Sequence, residues 1–235
     1  YLVSLLSPQY KVAVLSRGYG RKTKGFRLAN QDDTAYTIGD EPMQIQRRFP
    51  DVPVAVCADR VKGVKRLQQL FPTLQCIILD DAYQHRMIRC GFYILLTPYH
   101  RLYVHDHMLP WGLLRDVPTQ SHRANVVVVT KCPSDMQAIH RRVVSNALAL
   151  PSYQQLSFSS IAYKALQLPA TPLLLTGVAN PMPLLEYMRE MYPKTELLAY
   201  PDHHIFTDKD IAHILEKAKA FKCVVTTEKD YMRLQ

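Results

Sequence analysis

Cys76-Ile77-Ile78-Leu79-Asp80-Asp81 is an apolar run ending in paired acids, and Ala82-Tyr83-Gln84-His85-Arg86 follows at once. An unbroken apolar run of this length suits a strand covered on both faces of a parallel sheet. The two carboxylates then stand at the strand's carboxyl end, where open α/β sheets bind their ligands. In phosphoryl-transfer folds an acid at that spot holds Mg²⁺, directly or through water. The same residues would equally serve an ordinary strand running into an acidic turn.

Similar short runs recur on either side of this one. Lys11–Leu15, Val52–Val56, Phe92–Leu96, Asn125–Thr130, Pro172–Gly177, Thr195–Tyr200 and Lys222–Thr227 read as strands. Between them, Pro42–Phe49, Asp59–Phe71, Ser134–Leu150, Met182–Tyr192 and Thr207–Phe221 read as helices. Thr207 with Asp210, and Ser134 with Gln137, supply capping-box spacings for two of these. The alternation predicts a doubly wound, mostly parallel α/β sheet. From Pro151 to Pro169 the chain turns polar and aromatic, with partial alternation, which predicts an extended or two-stranded linker. The expected division is therefore a core over 1–150, a linker over 151–170 and a smaller α/β domain over 171–235.

Composition narrows the class. Hydrophobic residues make up 48% of the 235 and charged residues 21%, the balance of a globular rather than a disordered chain. A formal charge of +9 points to an anionic partner such as a phosphate, a nucleic acid or an acidic membrane surface. Lys11, Arg17, Arg21, Lys22, Lys24 and Arg27 all precede Asp32, the first acid. The cysteines Cys57, Cys76, Cys90, Cys132 and Cys223 form no C-x-x-C pair, so buried thiols are expected rather than a zinc site or disulfides. No apolar run approaches the roughly 20 residues that span a bilayer.

Several stretches carry chemistry. Ser16-Arg17-Gly18-Tyr19-Gly20-Arg21-Lys22 follows the first strand, where glycine backbone and cationic side chains could meet a phosphate, or simply form a basic turn. Gly39-Asp40-Glu41-Pro42 opens a helix. Asp40 or Glu41 suits a cap there, and Asp40 would serve as a general base only if other polar groups converge on it. Asp202-His203-His204 lies on a loop after a strand, and an imidazole there could pair with a carboxylate. Pro110-Trp111-Gly112-Leu113-Leu114-Arg115-Asp116 sets an arginine beside an apolar loop, where it could clamp a phosphate or the stretch could equally be a packed connection, and Thr226-Thr227-Glu228-Lys229-Asp230 puts polar groups at the last strand's end. The phosphate-cradling pattern G-x-x-x-x-G-K-[ST] does not occur in these residues.

In this order, Ser-Arg-Gly-Tyr-Gly-Arg, Gly-Asp-Glu-Pro, Asp59-Arg60, Asp-Asp-Ala-Tyr-Gln-His, Pro-Trp-Gly-Leu-Leu-Arg-Asp, Asp-His-His and Thr-Thr-Glu-Lys-Asp span almost the whole chain. Together they resemble the tetraacyldisaccharide 4'-kinase family of lipid A biosynthesis. The resemblance implies a P-loop NTPase fold and an ATP- and Mg²⁺-dependent kinase. Its substrate would be the 4'-hydroxyl of an acylated glucosamine disaccharide phosphate, at the cytoplasmic face of the inner membrane. It further implies that Asp40 is the base and His203 its imidazole partner, with His204 less favoured. Asp80 would belong to the Mg²⁺ shell, with Asp81 and Glu41 as further candidates. Arg17, Arg60, Gln84, His85, Arg115 and Asp116 would line the substrate and phosphate site.

The family's P-loop and amphipathic N-terminus are expected upstream of Tyr1, and family sequence is expected past Gln235. These residues alone are therefore expected to bind ATP poorly or not at all. Ala82 replaces the family's usual glycine, and Asp116 its usual glutamate. Expected partners are the lipid substrate and an anionic membrane surface, not nucleic acid, with the chain a monomer. The competing classes are a basic nucleic-acid-binding protein, although no RNA-binding signature occurs, and a metal-dependent phosphatase using Asp80, Asp81 and the histidines.

Overall fold

The unbroken apolar run Val12–Ser16 forms strand β1, and all five of its residues are buried. The structure, a computed structural model, describes residues 1–163, 167–169, 171–202 and 204–234. Helix α1 (Leu2–Leu6) precedes β1, and a short strand β2 (Arg27–Leu28), helices α2 (Ala35–Ile38) and α3 (Asp40–Arg48), strand β3 (Val54–Val56), helix α4 (Arg60–Leu70) and strand β4 (Cys76–Leu79) follow. Their sheet runs β2-β3-β1-β4. β1 is parallel to both β3 and β4, with Leu15 opposite Ala55 and Leu79, while β2 is an antiparallel edge. Ala13, Leu15, Ala55 and Leu67 pack together with no exposed surface, so α4 closes one face of β1. Val3, Val14 and Val54, joined by Ile45 of α3, close the other.

Contacts divide the chain into two compact units, one made of Tyr1–Asp80 with Ala165–Gln235 and the other of Asp81–Lys164. The cut falls inside the acid pair rather than near residue 150. Within the second unit, β5 (Ile94–Pro98), β6 (Val126–Cys132) and β7 (Gln155–Ser160) form a parallel sheet with β6 in the middle. Val127 and Val129 of β6 pack against Val144 and Leu148 of helix α5 (Ala138–Leu148). β7 occupies part of the stretch expected as a linker. It is an edge strand with no buried residue, which accounts for its polar composition. α5 also starts later than expected: Gln137 is its N-cap, so Ser134 caps nothing.

The remaining residues of the first unit form a second parallel sheet, with β8 (Pro172–Thr176) between β9 (Glu196–Ala199) and β10 (Cys223–Thr226). Helices α6 (Met182–Met191), α7 (Asp208–Ala218) and α8 (Glu228–Leu234) accompany it. All five residues of β8 are buried, as its central place requires. α8 packs on α3: Met232 joins Ile38, Met43 and Val56 in one apolar cluster, and Gln44 donates to Glu228 over 2.8 Å. That packing is why residues at both ends of the chain share one unit. Among the described residues no helix is long and apolar enough to cross a membrane.

Candidate active site

Asp40 is placed by backbone contacts before any side chain acts. α2 ends and α3 begins at Gly39, whose φ of 94° is a value that side-chain-bearing residues rarely adopt. A Cβ there would lie 3.0 Å from the Tyr19 carbonyl, and one on Gly18 would lie 2.7 Å from the Ile38 carbonyl. The loop after β1 and the α2–α3 junction thus touch backbone to backbone, which explains Gly18 and Gly39. Asp40 follows as the first residue of α3 and is buried, 7% exposed. Its Oδ1 accepts the Glu41 N–H over 2.9 Å. Its Oδ2 lies 3.8 Å from Lys229 Nζ and 3.8 Å from Arg233 Nε. Glu41 is exposed and reaches Lys229 Nζ at 3.4 Å.

Both cations come from α8, whose own anchor is a buried ion pair. Asp230 has no exposed surface and accepts from Arg233 Nη2 over 2.5 Å, from Thr227 Oγ1 over 2.6 Å and from Thr176 Oγ1 over 3.2 Å. A buried carboxylate satisfied on this many sides can stay charged in a dry interior.

Asp80 stands at the end of β4 beside the end of β1. Ser16 Oγ donates to Asp80 Oδ2 over 3.1 Å. Arg60 is 3% exposed, and its guanidinium donates to the carbonyls of Cys57 (2.7 Å), Ala58 (3.3 Å) and Asp80 (3.3 Å). Arg60 therefore braces the Asp80 backbone from beneath. Arg17 is exposed on the loop between β1 and Gly39.

The other expected residues belong to the second unit. Asp81 has φ 44°, in the left-handed region, and its carboxylate is gripped by both Nη atoms of Arg115, one at 2.9 Å. Asp81 holds the Arg115 guanidinium above its ordinary value by that hydrogen-bonded pairing. Asp116 lies 3.5 Å from Arg86 and 4.0 Å from Arg123. Arg123 also lies over the Tyr83 ring and donates to the Tyr83 carbonyl. Gln84 is half-buried, and His85 turns a buried Nε2 that has no hydrogen-bond partner among the described residues. A cavity of about 170 Å³ in this unit is lined in part by Tyr103, Pro118, Leu148 and Gln154 and holds none of the expected site residues.

His203 lies outside the described residues. His204 is set 3.1 Å from Asp210 Oδ2, stacked near Tyr200 and edge-on to Phe206, so its ring serves the start of α7.

A family model described as tetraacyldisaccharide-1-P 4'-kinase, LpxK, matches residues 1–235. The chain belongs to that family. Tetraacyldisaccharide 4'-kinase of Flavobacterium johnsoniae is 44% identical, matching 100% of this chain and 72% of its own length. The enzymes of Bacteroides fragilis and Porphyromonas gingivalis are each 42% identical over the whole chain, matched over 68% and 71% of their lengths. A crystal structure of "apo" form LpxK from Aquifex aeolicus in complex with ATP superposes with a TM-score of 0.71 at 23% identity, over 100% of this chain and 73% of that one. That likeness establishes the fold, a mixed α/β structure with parallel sheets as expected from the sequence.

In a 4'-kinase of this family the donor set at β4 fits Mg²⁺. Among the described residues no three His, Cys, Asp or Glu side chains gather as a cage. Mg²⁺ needs none, because it usually keeps several waters and takes one or two carboxylates plus substrate phosphates. Asp80 Oδ2 beside Ser16 Oγ supplies hard oxygen donors of that kind.

Sequence reading missed Ser16, Arg233 and the role of Lys229. The signal for Lys229 and Arg233 was present: Thr227 and Asp230 have the same capping spacing as Thr207 and Asp210, and the Thr227 hydroxyl does accept the Asp230 N–H over 3.1 Å.

Proposed function

We propose that this chain carries the acceptor side of an ATP-dependent transfer to the 4'-hydroxyl of a tetraacylated glucosamine disaccharide 1-phosphate. Family membership supports the reaction class. The observation that supports the assignment of residues is the buried Asp40 carboxylate, facing Lys229 and Arg233 in the unit whose sheet rim bears Asp80.

In this reading Asp40 accepts the proton of the sugar hydroxyl. The hydroxyl oxygen bonds to the γ-phosphorus as the bond to the β,γ-bridging oxygen breaks, and ADP leaves. His203 would share the proton load of Asp40. Asp80, steadied by Ser16 and by Arg60 under its backbone, would hold the metal; Mg²⁺ so bound would neutralise charge on the β- and γ-phosphates. Asp81 is the weaker ligand candidate because Arg115 already engages it, and Glu41 is the more exposed one. Arg17 would meet a phosphate; Arg115, Asp116, Gln84 and His85, in the second unit, stay candidates for phosphate and sugar contacts on the family resemblance alone. The +9 charge fits a substrate already bearing phosphate in an anionic membrane, and the family resemblance implies work at the cytoplasmic face of the inner membrane.

The test is Asp40→Asn in the full-length protein. Removing a general base costs about 10²–10⁴-fold in turnover, and ATP affinity should stay as it was. Turnover within twofold of the parent protein would reject the assignment.

A further inference from the structure

Arg233 is a hub. Its side chain is 6% exposed, and each nitrogen faces a different segment of the first unit. Nη2 donates to Asp230 Oδ1 (2.5 Å) and to the Gly177 carbonyl at the end of β8 (3.1 Å). Nη1 reaches the carbonyl of His204, in the loop of the paired histidines, at 3.5 Å. Nε is buried, makes no hydrogen bond among the described residues, and lies 3.8 Å from Asp40 Oδ2. A desolvated N–H so near a carboxylate gains a charge-assisted hydrogen bond if the acid moves less than about 1 Å toward it.

Resting on the reading of Asp40 as base, we infer that Arg233 is the positioning residue that sets the carboxylate's orientation. Asp40 Oδ1 accepts the Glu41 N–H, so contacts at Oδ2 bear on the rotation of the carboxylate. Lys229 Nζ faces that oxygen at 3.8 Å too, but on a more exposed side chain (21% against 6%). Arg233, clamped at its other nitrogens, is the more rigid of these two cations. The same guanidinium holds the His204 backbone, so one group registers the acid against the histidine loop. A base acts only from within hydrogen-bond reach of the proton it takes, so the orientation of the Asp40 carboxylate matters beside its basicity.

The experiment is a double-mutant cycle in the full polypeptide, combining Asp40→Asn with Arg233→Ala, and with Arg233→Lys and millimolar guanidinium as rescues. Arg233→Ala should lower kcat about 10–100-fold while KM for ATP and for the lipid acceptor stays within about threefold. Guanidinium should restore part of that loss, and Arg233→Lys should retain more activity than Arg233→Ala. In the Asp40→Asn background the same substitution should cost less than about twofold, because residues acting through one group are not additive. Full kcat in Arg233→Ala, an unchanged cost in the Asp40→Asn background, or no rescue by guanidinium and by lysine would each overturn the inference. If Asp40→Asn alone retains full turnover, it is the base assignment that has failed.

Discussion

Asp210 shows at single-residue scale how local geometry sets charge. The Thr207 N–H, then the Thr207 hydroxyl, then His204 hold its carboxyl down from 3.8 to about 2. Because the folded value is depressed, the stabilisation is complete above the ordinary carboxylate range and fades as pH falls through about 2. Asp210→Asn should therefore lower stability at neutral pH and flatten its decline between about pH 4 and pH 2. Urea melts at pH 7, 4 and 2.5 check this; parallel declines in the two proteins would refute it. The Thr207–Asp210 spacing was readable in the sequence, whereas the engagement of His204 was not, since nothing local aims an imidazole at a helix start.

Elements follow their sequence signals where those signals are local. Thr207 caps α7 and Asp210 returns the bond to the Thr207 backbone, so Thr207→Ala should cost about 1 kcal/mol in a denaturant melt. β1 was legible because a run buried on both faces is almost wholly apolar, and its fourth residue, Leu15, has no exposed surface. Leu15→Ala should cost about 2–5 kcal/mol, read from the shift in melting midpoint at constant m-value. The signals failed at edges. Among the described residues β7 pairs with β6 alone, so its exposed residues stay polar and it resembled a linker. α8 was overlooked because only the polar cluster at its start drew notice, although Met232 and Arg233 continue the helix.

For the whole molecule, the excess of 29 Lys and Arg over 20 Asp and Glu is a property of composition alone, and its consequence is long-ranged. Binding to vesicles containing anionic lipid should weaken steeply between 50 and 300 mM salt, roughly following the Debye length, and should be slight on zwitterionic vesicles. Flotation at several salt concentrations measures it, and salt-independent binding would contradict the electrostatic reading. Assembly of the first unit from both ends of the chain was not legible. It depends on α8 packing against α3 through Met232, Ile38 and Met43, a pairing that apolar spacing permits but does not select.

The residues by themselves determined every strand but β2 and β7, the acid at the end of β4, the glycine before Asp40 and the family, because each is encoded in a few neighbouring positions. Tertiary structure alone decided that Arg233 and Lys229 meet Asp40, that Arg60 supports Asp80 from beneath, and that Asp81 is held by Arg115. Side-chain periodicity fixes which face of an element a residue occupies; which distant face it meets is settled only when the cores close.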